Sequence, residues 1–325
     1  MQSNLAFKKS LKTTLVKLRF SLLLTIILIS PFGVFAQNIS IIYDQQSPYQ
    51  SKFFNALSIQ LSAIETIKLR IIPSHELSTD ILKQQQAERL INLDSNSIGR
   101  IIALGIQSPT IHAMTTLANA RRYAPCLPNC LNSLAQHRFF VLDQPVERQL
   151  QLIKLISSSF KNIGVIVTKR SQAHLASLRQ HAKKNQQTIL EFISDAENIR
   201  YQIDDISRTS DIILAIADTD IYNASSVSQI LLTSYRHRTP IIGFSNGFIK
   251  AGALAGSVSS LGQLVQHLSE EIQANDGLNT PPDENIFYPK YFSVLHNKNV
   301  AKSLNIHIPS SNKLAHQLST HESLQ

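Results

Sequence analysis

From residue 37 onward, short apolar runs alternate with longer segments whose apolar residues recur at helical spacing. Runs of the first kind lie at 39–43, 67–72, 100–104, 139–142, 162–168, 188–193, 212–217 and 240–244, each the length of a buried strand. Between the first two, residues 50–64 place Phe53, Leu57, Leu61 and Ile64 on one face of a helix. Helices are expected in the same way over 79–91, 109–118, 146–157, 171–184 and 196–209. Another is expected where Val227, Ile230, Leu231 and Tyr235 share a face. Strand, helix and strand within about thirty residues make a βαβ unit and imply parallel pairing. Sustained alternation of this kind predicts an α/β, doubly wound architecture.

The strands are too many for one mononucleotide-binding sheet and suit two Rossmann-like lobes. The break falls at Asp143-Gln144-Pro145, where Pro145 opens a helix and holds its predecessor extended. Two late returns follow, a strand at 254–258 with a helix at 262–275, then a strand at 291–296 with a short helix at 300–304. They imply that the chain crosses between lobes more than once, with Thr280-Pro281-Pro282-Asp283 as a further extended crossing. The expected division is 37–142 with 255–280 in the first lobe and 143–254 with 285–310 in the second. Residues 311–325, rich in Ser, Asn, Gln and His, are expected to form a mobile tail.

Residues 1–36 have the order of an export signal: Lys8, Lys9, Lys12, Lys17 and Arg19, then an apolar run at 20–29, then Val34-Phe35-Ala36. The run is short for a bilayer span, and position 37 is Gln, which offers no lipid-accepting thiol. Cleavage after Ala36 would leave 289 residues in an exported, periplasmic setting. The formal charge of +9 includes five basic and no acidic residues in that segment, which leaves +4. Such a balance gives no reason to expect nucleic acid. The two cysteines, Cys126 and Cys130, flank Leu-Pro-Asn. A small disulfide between them is expected, with two free thiols or a metal site as the alternatives; no further Cys or His stands at ligand spacing, and no metal or cofactor is expected.

Open α/β sheets bind ligands at the carboxyl ends of their strands. That places candidate contacts at Tyr43, at Gln107-Ser108, at Thr168, at Asp218 and Asp220, and at Asn246. Ser108, before Pro109, would cap a helix or present its N-terminus to a carboxylate. Asp218 and Asp220 would hold an ammonium or hydroxyl group, or cap the turn that follows. Gly243-Phe244-Ser245-Asn246-Gly247 also matches the nucleophile elbow of serine hydrolases, with Asp283 and His296 or His307 in the required chain order. No HGGG-type loop accompanies it, and Gly252 and Gly256 interrupt the helix such an elbow needs.

The wording of the second half resembles the type I periplasmic-binding-protein fold of ABC-transporter solute-binding proteins, in the group related to amino-acid-binding members. The resemblance rests on Asp218-Thr219 with Ile221-Tyr222-Asn223, on ILLTSYR at 230–236, PIIGFS at 240–245 and KAGALA at 250–255. It extends to VLDQPVERQLQL at 141–152 and to 162–167, and it is thin before Arg138. The resemblance implies a monomeric, non-catalytic protein that closes about a multi-crossing hinge on a small polar, amino-acid-like molecule. It also implies delivery to an ABC permease in the inner membrane. A relative turned sensor or partner-binding subunit is the alternative.

Overall fold

The structure is a computed structural model that describes residues 37–84, 88–127, 134–194, 198–274 and 285–323. In the first lobe the elements are β1 (Gln37–Tyr43), α1 (Pro48–Ser62), β2 (Ile67–Pro73), α2 (Thr79–Gln84), β3 (Arg89–Asn92), α3 (Ile98–Ala103), β4 (Thr110–Thr115), α4 (Leu117–Tyr123) and β5 (His137–Val141). The second lobe runs through α5 (Val146–Ile156), β6 (Asn162–Val167), α6 (His174–Lys184), β7 (Thr188–Ile193), α7 (Ile199–Thr209), β8 (Ile212–Leu214), α8 (Val227–Arg236), β9 (Ile241–Ile242), α9 (Asn246–Ala251) and β10 (Ala255–Val258). Then come α10 (Leu261–Gln273), β11 (Ile286–Phe287), β12 (Ser293–His296), α11 (Lys298–Leu304) and α12 (Ser311–Ser323). Two six-stranded sheets result, ordered β11-β5-β4-β3-β1-β2 and β12-β10-β9-β8-β6-β7. β3 pairs in parallel with β1 and β4, β5 with β4 and β11, β6 with β7 and β8, and β9 with β8 and β10, while β10 and β12 are antiparallel. This is the two-lobed, doubly wound α/β fold that the alternation predicts.

In the second lobe each strand falls within its apolar run, because β6 after its exposed Asn162, β8 and β9 are buried throughout and are built almost wholly of Ile, Val and Leu. The first lobe departs from expectation. Residues 100–103 belong to a helix that Leu104 caps, not to a strand, and 110–115 form a strand where a helix is expected. The end of the expected helix at 79–91 is strand β3. The reason is that these central strands carry polar residues whose partners are tertiary. Arg89 donates Nη1 to the Ile272 carbonyl at 2.7 Å. Asn92 Oδ1 accepts the Asp94 N–H, and its Nδ2 donates to the Asp94 carbonyl and to His112 Nδ1. His112 then donates Nε2–H to His137 Nδ1 at 3.0 Å. Burial pushes the imidazole of His137 down to about 4 and that of His112 well below its ordinary value, aided there by His137. A neutral, hydrogen-bonded pair is thereby tolerated inside the sheet.

The lobe division also differs. β10 pairs with β9 in the second sheet, so residues 255–258 are not part of the first lobe. The chain crosses at 259–260, and α10 then buries Leu264, Val265, Leu268 and Ile272 against Phe53, Leu57 and Leu61 of α1. β11 pairs with β5 in the first sheet, and the chain returns through 288–292 to β12. Residues 286–287 are thus in the first lobe. The expected mobile tail is instead a helix, because Leu314 and Leu318 are buried in the second lobe's core. The candidate crossing at 280–283 lies outside the described residues.

Polar side chains stitch the crossings together. Gln144, in the crossing at 142–145, donates Nε2 to Ser259 Oγ at 3.0 Å. Ser259 donates to the Tyr291 carbonyl at 2.6 Å. Arg148 donates Nη1 to Gln144 Oε1 at 2.7 Å and to the Pro289 carbonyl at 3.0 Å. Gly256 lets β10 approach β9 closely, since a Cβ there would lie 2.1 Å from the Gly243 carbonyl oxygen.

Candidate functional site at the carboxyl edges of the sheets

The turns after β6, β8 and β9 carry Thr168, Asp218 and Ser245, and Asp143 follows β5 in the crossing. Thr168 donates its hydroxyl to Asp218 Oδ2 at 2.6 Å, and its own N–H goes to Ser171 Oγ at 2.9 Å. Asp218 Oδ1 accepts the Asp220 N–H at 3.0 Å, and the Asp218 carbonyl accepts from Ile221 and Tyr222. With 1 % of its surface exposed, Asp218 is a turn-forming carboxylate and does not face the cleft as a free anion. Asp220 is half-buried at the rim, ion-paired with Arg170. Asp218 is thus engaged within its own turn by Thr168, and Asp220 stands on the rim beside Arg170.

Asp143 and His174, the latter opening α6, meet beside this cluster. Asp143 Oδ2 accepts the Leu117 N–H of the first lobe at 2.7 Å, while Oδ1 lies 3.7 Å from His174 Nε2. Burial pushes the Asp143 carboxyl up to about 7, with the Asp218 charge adding to it and the hydrogen bonds from Leu117 and its own backbone opposing it. Burial and the Arg121 charge push His174 down to about 4, against the pull of Asp218. The Tyr222 phenol is raised by burial first and by Asp218 second. Among the described residues, His174 Nε2 and the Tyr222 hydroxyl are buried and hydrogen-bond to nothing. Buried polar atoms are normally paired; ten other buried side-chain atoms among the described residues share this state, and these two stand at one sheet edge.

Two spaces adjoin the cluster. One, of about 20 Å³ and walled by Asp143, Gln144, His174, Ala217 and Phe244, has room for a single water. The other is an open groove of about 490 Å³ bordered by Thr168, Lys169, Arg170, Ser194, Asn198, Gln202 and Asp220.

Other expected contacts fall elsewhere. Gln107 and Ser108 precede β4, at the amino end of the first sheet, and border a separate depression with Thr79 and Leu104. Because 98–103 is helix and 110–115 is strand, both residues stand at the edge opposite to the one expected. The turns that do follow β3 and β4 are Asp94, which accepts from Asn96 N–H and Ser97 Oγ, and Thr116, which caps α4 through Asn119 N–H. Tyr43 is 7 % exposed and stacks on Phe54 at 4.4 Å, a core-edge position. Asn246 is exposed at the end of β9.

Ser245 is followed directly by α9, contrary to the expectation that glycines would interrupt a helix there. It is nonetheless an N-cap: φ −147° and ψ 154° are unstrained extended values, and Oγ accepts the Phe248 N–H at 3.1 Å. His296 is hydrogen-bonded to Ser311, and Asp283 lies outside the described residues. Cys126 is disulfide-bonded, while Cys130 lies outside the described residues. Among the described residues no group of three His, Cys, Asp or Glu could hold a metal ion, and no helix is long and apolar enough to cross a membrane.

Asp143, His174 and Tyr222 were not singled out as contacts from sequence. Asp143 follows a strand just as the other candidates do, so the strand-end rule could have found it. His174 and Tyr222 carry no such signal, since each lies beyond its turn and is brought in by packing.

Two mainly parallel sheets, crossings that return to both, and polar residues gathered at the carboxyl edges define a type I periplasmic-binding-protein fold. The profile of the family described as ABC transporter substrate binding protein matches residues 142–312, just over half of the chain, and the chain belongs to that family. Solved structures agree in fold. A substrate binding protein with adhesive properties from Clostridium difficile, in a ligand-free open form, is 16 % identical with a TM-score of 0.61, covering 84 % of this chain and 96 % of that one. An ABC domain from Streptococcus pneumonia in complex with L-Trp is 17 % identical with a TM-score of 0.56, covering 86 % and 98 %. A conserved domain protein from Vibrio cholerae gives the same identity, TM-score and coverage. Comparison with curated proteins finds no match.

Proposed function

We propose that this chain is the solute-capturing component of an ABC-type uptake system, holding a small polar, amino-acid-like molecule between its lobes without transforming it. Export through residues 1–36 to the periplasm and delivery to an inner-membrane permease complete the reading. The observation that carries it is the pair of unpartnered buried groups, His174 Nε2 and the Tyr222 hydroxyl, at the carboxyl edge of the second sheet. A solute with matching donors and acceptors would satisfy both, displacing the single water for which the small space at His174 has room. The groove at Thr168, Arg170, Asn198 and Gln202 supplies further hydrogen-bonding groups where the solute would enter. Family membership and the L-Trp bound by the Streptococcus relative support the solute class.

Thermal shift of the purified protein against L-amino acids and other small polar solutes tests this. A true ligand at a hundred times its Kd should stabilise by about 2.7 kcal/mol. The shift should shrink in His174→Ala and Tyr222→Phe. A panel that produces no shift, or a shift untouched by both substitutions, would remove the proposed site.

A further inference from the structure

The matched family region ends at residue 312, and α12, running to Ser323, extends beyond it. Its buried Leu314 and Leu318 seat it on the second lobe. From that seat Glu322 reaches Arg148, accepting Nε at 2.5 Å and Nη2 at 2.9 Å in a two-pronged pair. Arg148 is the residue whose remaining Nη1 holds Gln144 and the Pro289 carbonyl, and whose guanidinium lies 4.0 Å over the Phe292 ring. Gln144 in turn holds Ser259, and Ser259 holds Tyr291. One helix therefore ends on an arginine that touches two of the crossings directly and the third through Gln144.

The electrostatics give this contact weight. The Arg148 side chain is 4 % exposed, and among the described residues Glu322 is the carboxylate in ion-pair contact with it. A buried guanidinium stripped of its counter-charge is strongly disfavoured. The available relief is hydration of Arg148, which requires Gln144 and the 288–292 crossing to shift. Those are the segments about which two lobes of this kind rotate.

We infer that α12 is a hinge brace: through Glu322 it fixes Arg148 and biases the equilibrium between lobe arrangements toward the one in which the crossings are stitched together. The inference concerns the hinge and holds whatever the solute.

Hydrogen exchange and small-angle scattering on the full chain test it, comparing wild type with Glu322→Gln. The substitution keeps the size of the side chain and removes its charge. The expected result is exchange accelerated about tenfold or more in peptides spanning 142–145, 259–260 and 288–292, with β6 and β1 still protected and a larger radius of gyration. Arg148→Met removes the cation that needs the brace, so Glu322→Gln added to it should change neither quantity. Acceleration confined to 311–323, acceleration spread evenly over the second lobe, unchanged exchange, or additive effects in the double variant would each overturn the inference.

Discussion

Asp143 Oδ1 lies 3.7 Å from His174 Nε2 with both side chains almost wholly buried, and burial drives each toward its neutral form. The carboxyl is raised from 3.8 to about 7 and the imidazole lowered from 6.5 to about 4. In this pair the proton rests on the acid, and no ion pair forms at mildly acidic pH.

The pH dependence follows from those directions. Between 3.8 and about 7 the folded protein holds a proton on Asp143 that the unfolded chain has lost, so this group's contribution to stability declines as pH rises through that window. His174 acts oppositely between about 4 and 6.5, where only the unfolded chain is protonated, so its contribution grows with pH. Asp143→Asn keeps an acceptor for the Leu117 N–H and removes only the first effect. The stability of wild type relative to Asp143→Asn should therefore fall by up to about 4 kcal/mol from pH 4 to pH 8. Urea midpoints across that range measure it, and a constant difference would show that Asp143 titrates normally.

Asp218 is expected to act on stability. Its removal strands the Thr168 hydroxyl and the Asp220 N–H, so Asp218→Ala should cost about 1–3 kcal/mol. Thr168→Val should cost less, and the double variant should fall short of the sum because the two share a bond. Chemical denaturation of the three variants decides; additive losses would mean that the 2.6 Å contact contributes nothing.

Gln107→Ala and Ser108→Ala should leave solute affinity unchanged, because both residues stand at the amino edge of the first sheet. Thr116→Ala removes the cap of α4 and should cost about 0.5–2 kcal/mol of stability. Calorimetry with a solute that scores in the thermal screen checks the first two. A large loss of affinity in either would place the solute at the other end of the lobe.

Ser245 should resist a serine-directed phosphonate, since its hydroxyl oxygen caps α9 and its backbone is unstrained. Ser245→Ala should lower stability by about 0.5–2 kcal/mol. Stoichiometric labelling at Ser245, seen by peptide mass analysis, would restore the hydrolase alternative.

The amino-acid sequence by itself determined the class of fold and most of the second lobe. Runs such as those at 163–167 and 212–217 carry no polar side chain because a strand covered on both faces has no polar neighbour to serve. It also carried the two-sheet count and the break at Asp143-Gln144-Pro145. Tertiary structure alone decided the first lobe's phase, since Arg89, Asn92 and His112 sit in buried strands only because Ile272, Asp94 and His137 satisfy them. An error of one element there moved Gln107 and Ser108 from one sheet edge to the other. The placement of β10, β11 and α12 was likewise beyond local pattern, because which lobe a strand joins depends on which sheet edge is open to it. The same holds for His174, Tyr222 and Glu322. Their partners are 31 to 174 residues away or absent, and pairings at such separation are fixed by packing, which no local spacing records.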